Sequence, residues 1–292
     1  MTPPNDGRRI PDWIRFQIPG GKNAARLRGV IKKAGLHTVC MEARCPNVGE
    51  CMGCGTATFL ILGDTCTRNC RYCSVTQGTP RPPEPDEPRR VGHAVQTLGL
   101  TYAVITSVTR DDLPDGGAGI FADTIKQLRA RIRGVKVEVL VPDFGGSRSA
   151  LERVLAAEPN VLNHNLETVS RLYPVVRPEA RYSRSLKLLE TAARTAPAIP
   201  TKSGLMLGLG ETDAEVEKAL SDLLTVDCKM LTLGQYLQPT RDHLPVESYI
   251  EPEHFDRWKQ RALEAGFEQV ASGPLVRSSY QAHALYAEKE SA

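Results

Sequence analysis

The most informative segment of this 292-residue chain reads Cys66-Thr67-Arg68-Asn69-Cys70-Arg71-Tyr72-Cys73 and directly follows the first predicted strand. Thiolates at these spacings can bind one small iron–sulfur cluster, because a compact loop brings all three sulfurs onto one concave surface. Three thiolates leave one iron of a four-iron cluster without a protein ligand, and an open metal position can bind a substrate or a cofactor. A closed zinc site is the alternative, but it needs a fourth ligand, and no histidine follows His37 in the cysteine-rich window.

The chain after this segment alternates β-rich runs with amphipathic helical stretches, and glycine or proline punctuates most of the joins. The predicted strands are Thr56–Leu62, Tyr102–Val108, Val135–Val141, Val161–Leu166, Gly204–Leu209 and Met230–Leu237. The predicted helices are Arg89–Leu98, Ile120–Arg133, Ser149–Ala157, Tyr182–Arg194, Asp213–Leu224 and Glu253–Ala265. This alternation indicates parallel strands with right-handed crossovers, in a doubly wound sheet or a barrel. Six units, rather than eight, favour a partial barrel.

Polar residues crowd the carboxyl ends of successive predicted strands. They are Asp64, Thr106, Ser107, Asp143, Asn163 to Glu167, Glu211, Gln235 and Tyr236. In a barrel these ends converge on one mouth, where such enzymes place their chemistry. Ordinary loop polarity explains any one of them but is a weaker explanation for six positions, so we expect a site at the mouth of a barrel.

Composition excludes several classes of protein. The chain has 41% apolar and 24% charged residues, and its 37 Lys+Arg exceed its 34 Asp+Glu by a net charge of +3. These are the proportions of a globular protein, and no apolar run approaches the roughly 18 residues that a membrane span requires. A membrane-spanning, collagenous or disordered protein is therefore excluded. The N-terminus opens polar, without the apolar segment of a secretory signal, so we expect a cytoplasmic protein.

Seven of the eight cysteines fall within 34 residues, and the eighth, Cys228, stands apart. A disulfide framework would spread its cysteines along the chain, so this density predicts metal or cluster ligation in a reducing compartment. A second triplet, Cys40-x4-Cys45-x5-Cys51, lies upstream of the first strand and indicates a second cluster. Cys54 and Cys228 are interpreted as small buried residues, although Cys54 could also replace a ligand of the second cluster.

Residues 1–39 carry eight Lys/Arg against two acidic residues, a net charge of +6, so the basic character of the chain belongs to this N-terminal arm. Two interpretations remain open: a solvated, loosely ordered extension, or a docking surface for an acidic partner. Nucleic acid is a weaker interpretation, because only Trp13 and Phe16 are available for stacking. We expect neither a nucleic-acid nor a membrane partner.

The spacing Cys66-x3-Cys70-x2-Cys73, with the aromatic Tyr72 before the last cysteine and a β/α chain behind it, resembles the radical S-adenosylmethionine (SAM) superfamily. The resemblance implies an α/β fold, a partial (β/α)6 TIM-type barrel with N-terminal and C-terminal extensions. It also implies a [4Fe-4S] cluster on these three cysteines, which we call the radical cluster. SAM would chelate the open iron, and one electron would cleave its sulfonium to give a 5′-deoxyadenosyl radical.

The segment from Cys40 to Cys51 resembles the lipoyl synthase family more specifically. The resemblance continues through Gly55–Phe59, Thr106–Val108, Arg110–Leu113, Asp115–Ala118, Asn163–Thr168, Lys202–Glu211, Gly234–Leu237 and Arg277–Tyr280. It implies three parts: a 1–55 extension that carries the second cysteine triplet, a 56–250 barrel, and a 251–292 extension with the Arg277-Ser278-Ser279-Tyr280 motif.

Membership of this family would imply insertion of sulfur at C6 and C8 of an octanoyl chain that is amide-linked to a lysine of a carrier domain. The sulfur donor would be a second [4Fe-4S] cluster, the auxiliary cluster, held by Cys40, Cys45, Cys51 and Ser279 and degraded in the reaction. Two C–S bonds would consume two SAM molecules. An alkoxide is a hard ligand, mismatched to iron–sulfur chemistry, so we expect the Ser279 bond to open during sulfur transfer. Alternatively, Ser278 and Ser279 only cap a helix that starts near Tyr280.

Asn163, Asn165, Glu167 and Lys202 are the predicted cofactor-binding residues, because strand-end amides and charges can hydrogen-bond the ribose or methionine groups of SAM. Each could equally be a structural loop residue. The Asp111-to-Asp115 segment is either a mobile acidic loop that closes over substrate or an ordinary Asp-Gly turn.

The resemblance also implies partners. They are octanoylated lipoyl carrier domains (2-oxoacid dehydrogenase E2 subunits and the glycine cleavage H protein), a ferredoxin or flavodoxin as electron donor, and cluster-assembly proteins. Carrier domains tend to be acidic, so the run Arg171, Arg177, Arg181, Arg184 and Lys187 is a candidate docking surface. Three alternatives remain: another radical sulfur-inserting or methylthio-transferring enzyme, a two-cluster electron carrier, and a zinc-stabilised binding protein.

Overall fold

The computed structural model describes residues 10–14, 21–42, 58–280 and 282–290, without the side chains of residues 21–24, 40, 41 and 287–290. The helices in this part are α1 Gly21–Ala34, α2 Val39–Glu42, α3 Glu87–Leu98, α4 Ala118–Arg131, α5 Arg148–Leu155, α6 Tyr173–Val176, α7 Tyr182–Thr195, α8 Asp213–Thr225, α9 Pro252–Ala265 and α10 Ala282–Glu290. The strands are β1 His37–Thr38, β2 Thr58–Ile61, β3 Thr65–Cys66, β4 Thr76–Gln77, β5 Tyr102–Ser107, β6 Lys136–Leu140, β7 Val161–Asn163, β8 Thr201–Leu207, β9 Met230–Gln235 and β10 Gln269–Gly273.

The main sheet of the described residues has the strand order β1-β2-β5-β6-β7-β8-β9-β10. The short β1 pairs antiparallel with β2, whereas every pair from β2 to β10 is parallel. Helices connect these parallel strands, and most residues of strands β2 and β5 to β9 are buried because both of their faces are covered. The expected partial β/α barrel is confirmed.

The predicted strands and helices are all present, with ends that shift by a few residues. Strand β8 begins at Thr201 rather than at Gly204, and β7 ends at Asn163 rather than at Leu166. The chain leaves the ladder there because Glu167 takes a left-handed backbone conformation (φ 67°) before it bridges Leu205. Hydrophobic periodicity does not reveal which single residue has a left-handed backbone conformation. The sequence therefore could not predict that β7 ends at Asn163.

A seventh parallel strand extends the barrel beyond the six that were expected. This strand, β10, pairs with β9 from Gln269 opposite Met230 to Gly273 opposite Gly234. Both α9 and β10 lie in the expected 251–292 extension, so the sheet crosses the expected boundary at residue 250. The strand was missed because Gln269-Val270-Ala271-Ser272-Gly273 is short and mixes polar and small residues.

The N-terminal arm is partly built into the core. Helix α1 buries Leu27 and Ile31 against the barrel, and Arg26 donates a 2.6 Å hydrogen bond to the carbonyl of Thr97 at the end of α3. For residues 21–34 the interpretation as a loosely ordered extension is therefore wrong. Cys228 is fully buried beside the start of β9, as its interpretation as a structural residue predicted.

No helix among the described residues is both long enough and apolar enough to cross a membrane.

Candidate functional site

A cavity of about 890 Å³ opens at the carboxyl ends of the parallel strands. It is lined by residues at or just beyond these ends, among them Ser107 after β5, Asn165 after β7, Met206 of β8 and Gly234 of β9. Parallel β/α units bring these ends together at one edge, which is why the polar strand ends of the sequence converge here. Thr106, Ser107, Asn165, Glu167 and Tyr236 all line the cavity.

Other polar strand ends have structural roles. Both carboxylate oxygens of Glu211 accept hydrogen bonds from the backbone, one from the amide of Gly208 and one from the amide of Leu209 at 2.9 Å. The side chain of Gln235 crosslinks three backbone segments through hydrogen bonds that include Ser248 at 3.0 Å and Ile250 at 2.8 Å. For these two residues the alternative of ordinary loop polarity is correct.

Cys66, Cys70 and Cys73 line the same cavity and are half-buried. Cys66 ends the short strand β3, and its Sγ accepts a hydrogen bond from the amide of Thr109 at 3.3 Å. The amide of Cys73 donates to the carbonyl of Cys70 at 3.0 Å, which turns the loop so that it presents these thiols together. The amide of Arg71 donates to Val176 at 3.0 Å and ties the loop to α6. The structure therefore brings the three predicted radical-cluster ligands together on one wall.

The environment of the Cys70 and Cys73 thiols favours their neutral form unless a cation is bound. Burial raises the pKa of Cys73 to about 12. Burial also raises the pKa of Cys70, and the positive charge of Arg177 opposes that rise. Cationic iron would stabilise the thiolates at this position, so the donor set suits a cluster. Among the described residues, no group of three His, Cys, Asp or Glu side chains is arranged to hold a single metal ion.

Arg68, between the first two of these cysteines, anchors the loop to the barrel. Its buried guanidinium donates to both carboxylate oxygens of Asp111, at 2.6 and 2.8 Å, and to Asp143 at 2.6 Å. Asp143 also accepts a hydrogen bond from Arg184 at 3.2 Å. Burial alone would raise the pKa of Asp143, but the hydrogen bond and charge of Arg68 lower it to about 2. The loop is therefore held by a network of ion pairs around Arg68.

The acidic segment is also held by ion pairs. Asp112 accepts a 2.7 Å hydrogen bond from the buried Arg110. Asp115 accepts from Arg153 at 3.1 Å and from the amides of Gly117 and Gly119, both at 2.9 Å, at the start of α4. These contacts favour the turn interpretation over a mobile loop that closes on substrate.

Glu167 and Asn165 line the cavity beside the cysteine loop. Asn165 Nδ2 donates to Glu167 Oε1 at 3.0 Å, and Tyr72 of the cysteine loop also hydrogen-bonds this carboxylate. Burial raises the pKa of Glu167, and the charge of Arg177 and the hydrogen bonds from Asn165 and Tyr72 oppose that rise. The left-handed backbone of Glu167 is a strained conformation of the kind that clusters at binding sites.

Two buried oxygens that line the cavity have no hydrogen-bond partner among the described residues: Asn165 Oδ1 and Ser107 Oγ. A buried polar atom without a partner costs about 1–3 kcal/mol, which a bound polar ligand would recover. Strand β8 packs closely against this oxygen, since a Cβ at Gly204 would lie 3.1 Å from Asn165 Oδ1. These features fit a polar, nucleoside-sized ligand such as SAM.

Asn163 and Lys202, both predicted to bind the cofactor, do not line the cavity. They are fully buried inside the barrel, where Lys202 Nζ and Asn163 Nδ2 donate to the same oxygen of Glu138 at 2.9 and 3.1 Å. Asn163 and Lys202 face each other on β7 and β8. The structure corrects the prediction that Asn163 and Lys202 bind the cofactor. These two residues lie within strands and their side chains point into the barrel, whereas Asn165 and Glu167 lie beyond the end of β7.

The Arg277-Ser278-Ser279-Tyr280 motif reaches the cavity, and Arg277, Ser278 and Ser279 line it. Ser278 Oγ accepts a hydrogen bond from Asn165 Nδ2 at 2.9 Å. The hydroxyl of Ser279 has no hydrogen-bond partner in the described part of the chain. Helix α10 begins at Ala282, after the turn that contains both serines.

The second cysteine triplet is described only at its start. Cys40 lies in the short helix α2, although its side chain is not described, and Cys45, Cys51 and Cys54 lie outside the described residues. The neighbouring Val39 lines the cavity, and Ser74 donates a 3.1 Å hydrogen bond to the carbonyl of Glu42. The helix that carries Cys40 therefore borders the same cavity and contacts the radical-cluster loop.

Two buried residues of the cavity wall were missed from the sequence. His164 Nδ1 donates to the carbonyl of Val141 at 2.8 Å, and its Nε2 accepts from Ser185 at 2.9 Å. Burial lowers the pKa of His164 to about 4, so the ring is neutral. Arg177 Nη1 donates to the carbonyls of Asn165 and Leu166 at 3.0 and 3.1 Å. Neither position follows a spacing rule, so the sequence carried no signal for its role beyond the position of His164 at a strand end.

Most of the basic residues proposed as a docking surface are buried or paired with a carboxylate. Arg177 is buried at the cavity, and Arg184 is bound to the buried Asp143. Arg171 is exposed but pairs with Glu215 at 2.6 Å, and Lys187 pairs with Glu190 at 2.8 Å. Arg181, at the N-cap of α7, is exposed and has no charged partner among the described residues.

Comparisons with known proteins agree with this geometry. A model of the radical SAM superfamily matches residues 60–223, and a model of the N-terminal domain of lipoyl synthase of that family matches residues 3–45. The lipoyl synthase of Thiobacillus denitrificans is 53% identical over 96% of this chain and 90% of its own length. That of Methylococcus capsulatus is 55% identical over 94% of this chain and 85% of its own.

Solved structures share the fold at low sequence identity. Streptococcus suis SuiB bound to S-adenosylmethionine has a TM-score of 0.55 at 10% identity, over 75% of this chain and 50% of that chain. HydG, a maturase of the [FeFe]-hydrogenase, has a TM-score of 0.54 at 12% identity, over 92% of this chain and 75% of that chain. Because its relatives match nearly its whole length at about half identity, the chain belongs to the lipoyl synthase family of radical SAM enzymes.

Proposed function

We propose that this enzyme inserts two sulfur atoms, at C6 and C8, into an octanoyl group that is amide-linked to a lysine of a carrier domain. One observation carries the proposal: the thiols of Cys66, Cys70 and Cys73, the helix that contains Cys40, and Ser279 all border one cavity. A radical source and a sulfur source that share a cavity can act on the same carbon without release of the substrate.

The chemistry requires a radical because C6 and C8 are unactivated, so a side chain of ordinary pKa cannot remove their protons. When bound, the radical cluster and SAM together supply a carbon-centred radical that abstracts a hydrogen atom. Cys66, Cys70 and Cys73 would hold that cluster. Two C–S bonds would consume two SAM molecules for each lipoyl group.

Asn165, Glu167 and Ser107 are the proposed SAM-binding residues. The free Oδ1 of Asn165 and the hydroxyl of Ser107 are available to hydrogen-bond the ligand, and the Glu167 carboxylate lies beside the radical-cluster loop through Tyr72. The buried guanidinium of Arg177 faces the same cavity and would balance a ligand carboxylate. Asn163 and Lys202 are left out of this set because they bind Glu138 inside the barrel.

Cys40, Cys45, Cys51 and Ser279 are the proposed ligands of the auxiliary cluster. The structure supports Ser279 over Ser278, because Ser278 is engaged with Asn165, whereas Ser279 has no partner among the described residues. A serine oxygen is a harder ligand than a thiolate and forms a weaker match to iron in a sulfide cluster, so its bond is the one that would open during sulfur transfer.

The rest of the cavity wall suits an acyl chain. Its apolar residues include Val108, Leu140, Val141, Leu205 and Leu237. An eight-carbon chain gains about 0.8 kcal/mol for each CH2 that it buries against such a wall. The apolar lining would also exclude water and so protect a radical from side reactions.

The partners follow from this chemistry. The acyl substrate comes on a lipoyl carrier domain, of the kind found in 2-oxoacid dehydrogenase E2 subunits and in the glycine cleavage H protein. A ferredoxin or flavodoxin would supply electrons, and cluster-assembly proteins would rebuild the auxiliary cluster. These clusters need reducing conditions, which the cytoplasm provides.

The proposed function is tested by mass spectrometry of an octanoyl-lysine carrier domain after anaerobic incubation with reconstituted enzyme, SAM and a reductant. We expect the carrier to gain two sulfur atoms without a net change in hydrogen, because each of the two C–H bonds becomes C–SH under the reductant; oxidation to the disulfide afterwards removes two hydrogens. Enzyme with Cys40→Ala should cleave SAM yet leave the carrier unaltered. A gain of a methylthio group, or full sulfur insertion by the Cys40→Ala variant, would contradict the proposal.

A further inference from the structure

The segment that carries Ser279 is held at both of its ends. It leaves the carboxyl end of β10 at Gly273, passes the mouth of the cavity, and continues as α10 toward the opposite end of the barrel. We call the described residues of this segment, 274–280 and 282–286, the C-terminal strap. The contacts of the strap are far apart in the barrel, so they determine where its middle lies.

At the mouth, the strap is packed against β9. The amide of Gln235 donates to the carbonyl of Pro274 at 3.3 Å. A Cβ added at Gly234 would lie 2.0 Å from the carbonyl oxygen of Val276, so only glycine at this position allows such an approach. Two residues farther on, Asn165 Nδ2 donates to Ser278 Oγ at 2.9 Å.

At the other end, α10 is seated on the base of the barrel. Leu285 is buried against Val161 and Met230, which are the first residues of β7 and β9. The Tyr286 ring packs on Tyr102, the first residue of β5, with 5.9 Å between ring centroids. The ammonium of Lys136, the first residue of β6, lies 5.2 Å from the centre of the Tyr286 ring. We call these contacts the basal seat.

The basal seat is connected to the rigid interior of the barrel. The Tyr102 hydroxyl donates to Glu138 at 2.8 Å, and the other oxygen of Glu138 binds Lys202 and Asn163. The seat therefore contacts a fully buried ion pair rather than a flexible surface. The Tyr286 ring therefore packs on a Tyr102 ring whose own position is fixed by a hydrogen bond, and such aromatic pairs are stabilising.

From this arrangement we propose that Tyr286 and Gly234 are positioning residues for Ser279: they fix the two ends of the C-terminal strap and thereby hold the Ser279 hydroxyl at the auxiliary cluster. The inference rests on the proposed function, which assigns Ser279 to that cluster. Ser279 has no hydrogen bond of its own among the described residues, so its position depends on the contacts on either side.

The test is the rate at which the reconstituted enzyme loses iron to a chelator under anaerobic conditions. Two four-iron clusters give about eight irons per chain. We expect Tyr286→Ala and Gly234→Ala to release about half of this iron at least tenfold faster than the parent enzyme. Tyr286→Phe, which keeps the ring, should match the parent. Formation of 5′-deoxyadenosine from SAM should stay within about twofold in the two Tyr286 variants, because Tyr286 lies at the basal seat and does not line the cavity.

A double variant distinguishes positioning from general loosening. If Tyr286 acts through Ser279, then Tyr286→Ala combined with Ser279→Ala should release iron no faster than Ser279→Ala alone. Additive acceleration would overturn the inference, as would release at the parent rate from Tyr286→Ala and Gly234→Ala, or equal loss of both halves of the iron in these variants. A parent enzyme with only about four irons per chain would instead contradict the proposed auxiliary cluster itself.

Discussion

Lys202 shows how a single residue can be identified correctly as important and assigned the wrong task. Its position beside a strand end and its charge suggested a contact with the cofactor, but the side chain is fully buried against Glu138. Asn163 donates to the same carboxylate. The pair fixes β6, β7 and β8 relative to one another below the cavity, and thereby supports the position of Asn165 beyond the end of β7.

We predict that Lys202→Met destabilises the protein by about 3–5 kcal/mol, because it leaves the Glu138 carboxylate buried without its cation. Lys202→Met combined with Glu138→Leu should recover most of that loss, since neither charge then remains. The free energy of unfolding in urea measures both variants. Equal destabilisation by the single and the double variant would show that the ion pair is not the cause.

His164 predicts a pH dependence. Its folded pKa is about 4, below the usual 6.5, so below pH 6.5 the unfolded chain binds the proton more readily than the folded one. Stability should therefore fall as the pH drops from 6.5 toward 4, by about 2 kcal/mol between pH 7 and pH 5. His164→Gln should remove this part of the pH dependence, whereas His93→Gln, on the exposed face of α3, should keep it. An unaltered slope in His164→Gln, from urea unfolding at the two pH values, would contradict the assignment.

At the scale of the element, the close approach of neighbouring strands determines where the residues of the cavity wall lie. Gly204 of β8 faces Thr232 of β9 and Asn165 beyond β7, and a Cβ there would lie 2.5 Å from Thr232 Oγ1. Because Gly204 has no side chain, Thr232 and Asn165 can both keep their positions in the cavity wall.

Gly204→Ala should weaken SAM binding at least tenfold, because the methyl group displaces Thr232 or Asn165. Isothermal titration of SAM into the reconstituted enzyme measures the effect. Gly29→Ala is a suitable control: this exposed glycine of α1 has open space around it, and the change should leave SAM affinity unaltered and stabilise the helix by about 0.5–1 kcal/mol. SAM affinity that is the same in Gly204→Ala and in the parent would contradict this role of the glycine.

At the scale of the whole molecule, the sequence was sufficient to predict the barrel. The alternation of strands and helices and the polar strand ends both follow from which residues the fold buries. The sequence was also sufficient to predict that the three cysteines that line the cavity lie close together. It could not assign Asn163 and Lys202 correctly, since whether a side chain points into the barrel or beyond it depends on where the strand ends. The left-handed Glu167 sets that end for β7.

The charged surface shows the same limit. Five basic residues looked equivalent in the sequence, but only Arg181 is exposed without a charged partner among the described residues. We expect Arg181→Glu to weaken carrier binding several-fold at low salt, with a difference that shrinks at about 0.5 M salt. Arg194→Glu, about 20 Å away at the other end of α7, is the matched control and should have little effect. Carrier affinity that is unaltered by Arg181→Glu at every salt concentration would contradict this docking site.

In the proposed reaction, the radical source and the sulfur source both lie at one cavity of this chain. The most direct measurement is a single turnover with enzyme whose clusters were reconstituted with heavy-isotope sulfide, in a buffer that contains only light sulfide. We expect both sulfur atoms of the lipoyl product to carry the heavy isotope and the auxiliary cluster to be lost as product forms. A product that contains only light sulfur, with both clusters intact, would contradict it.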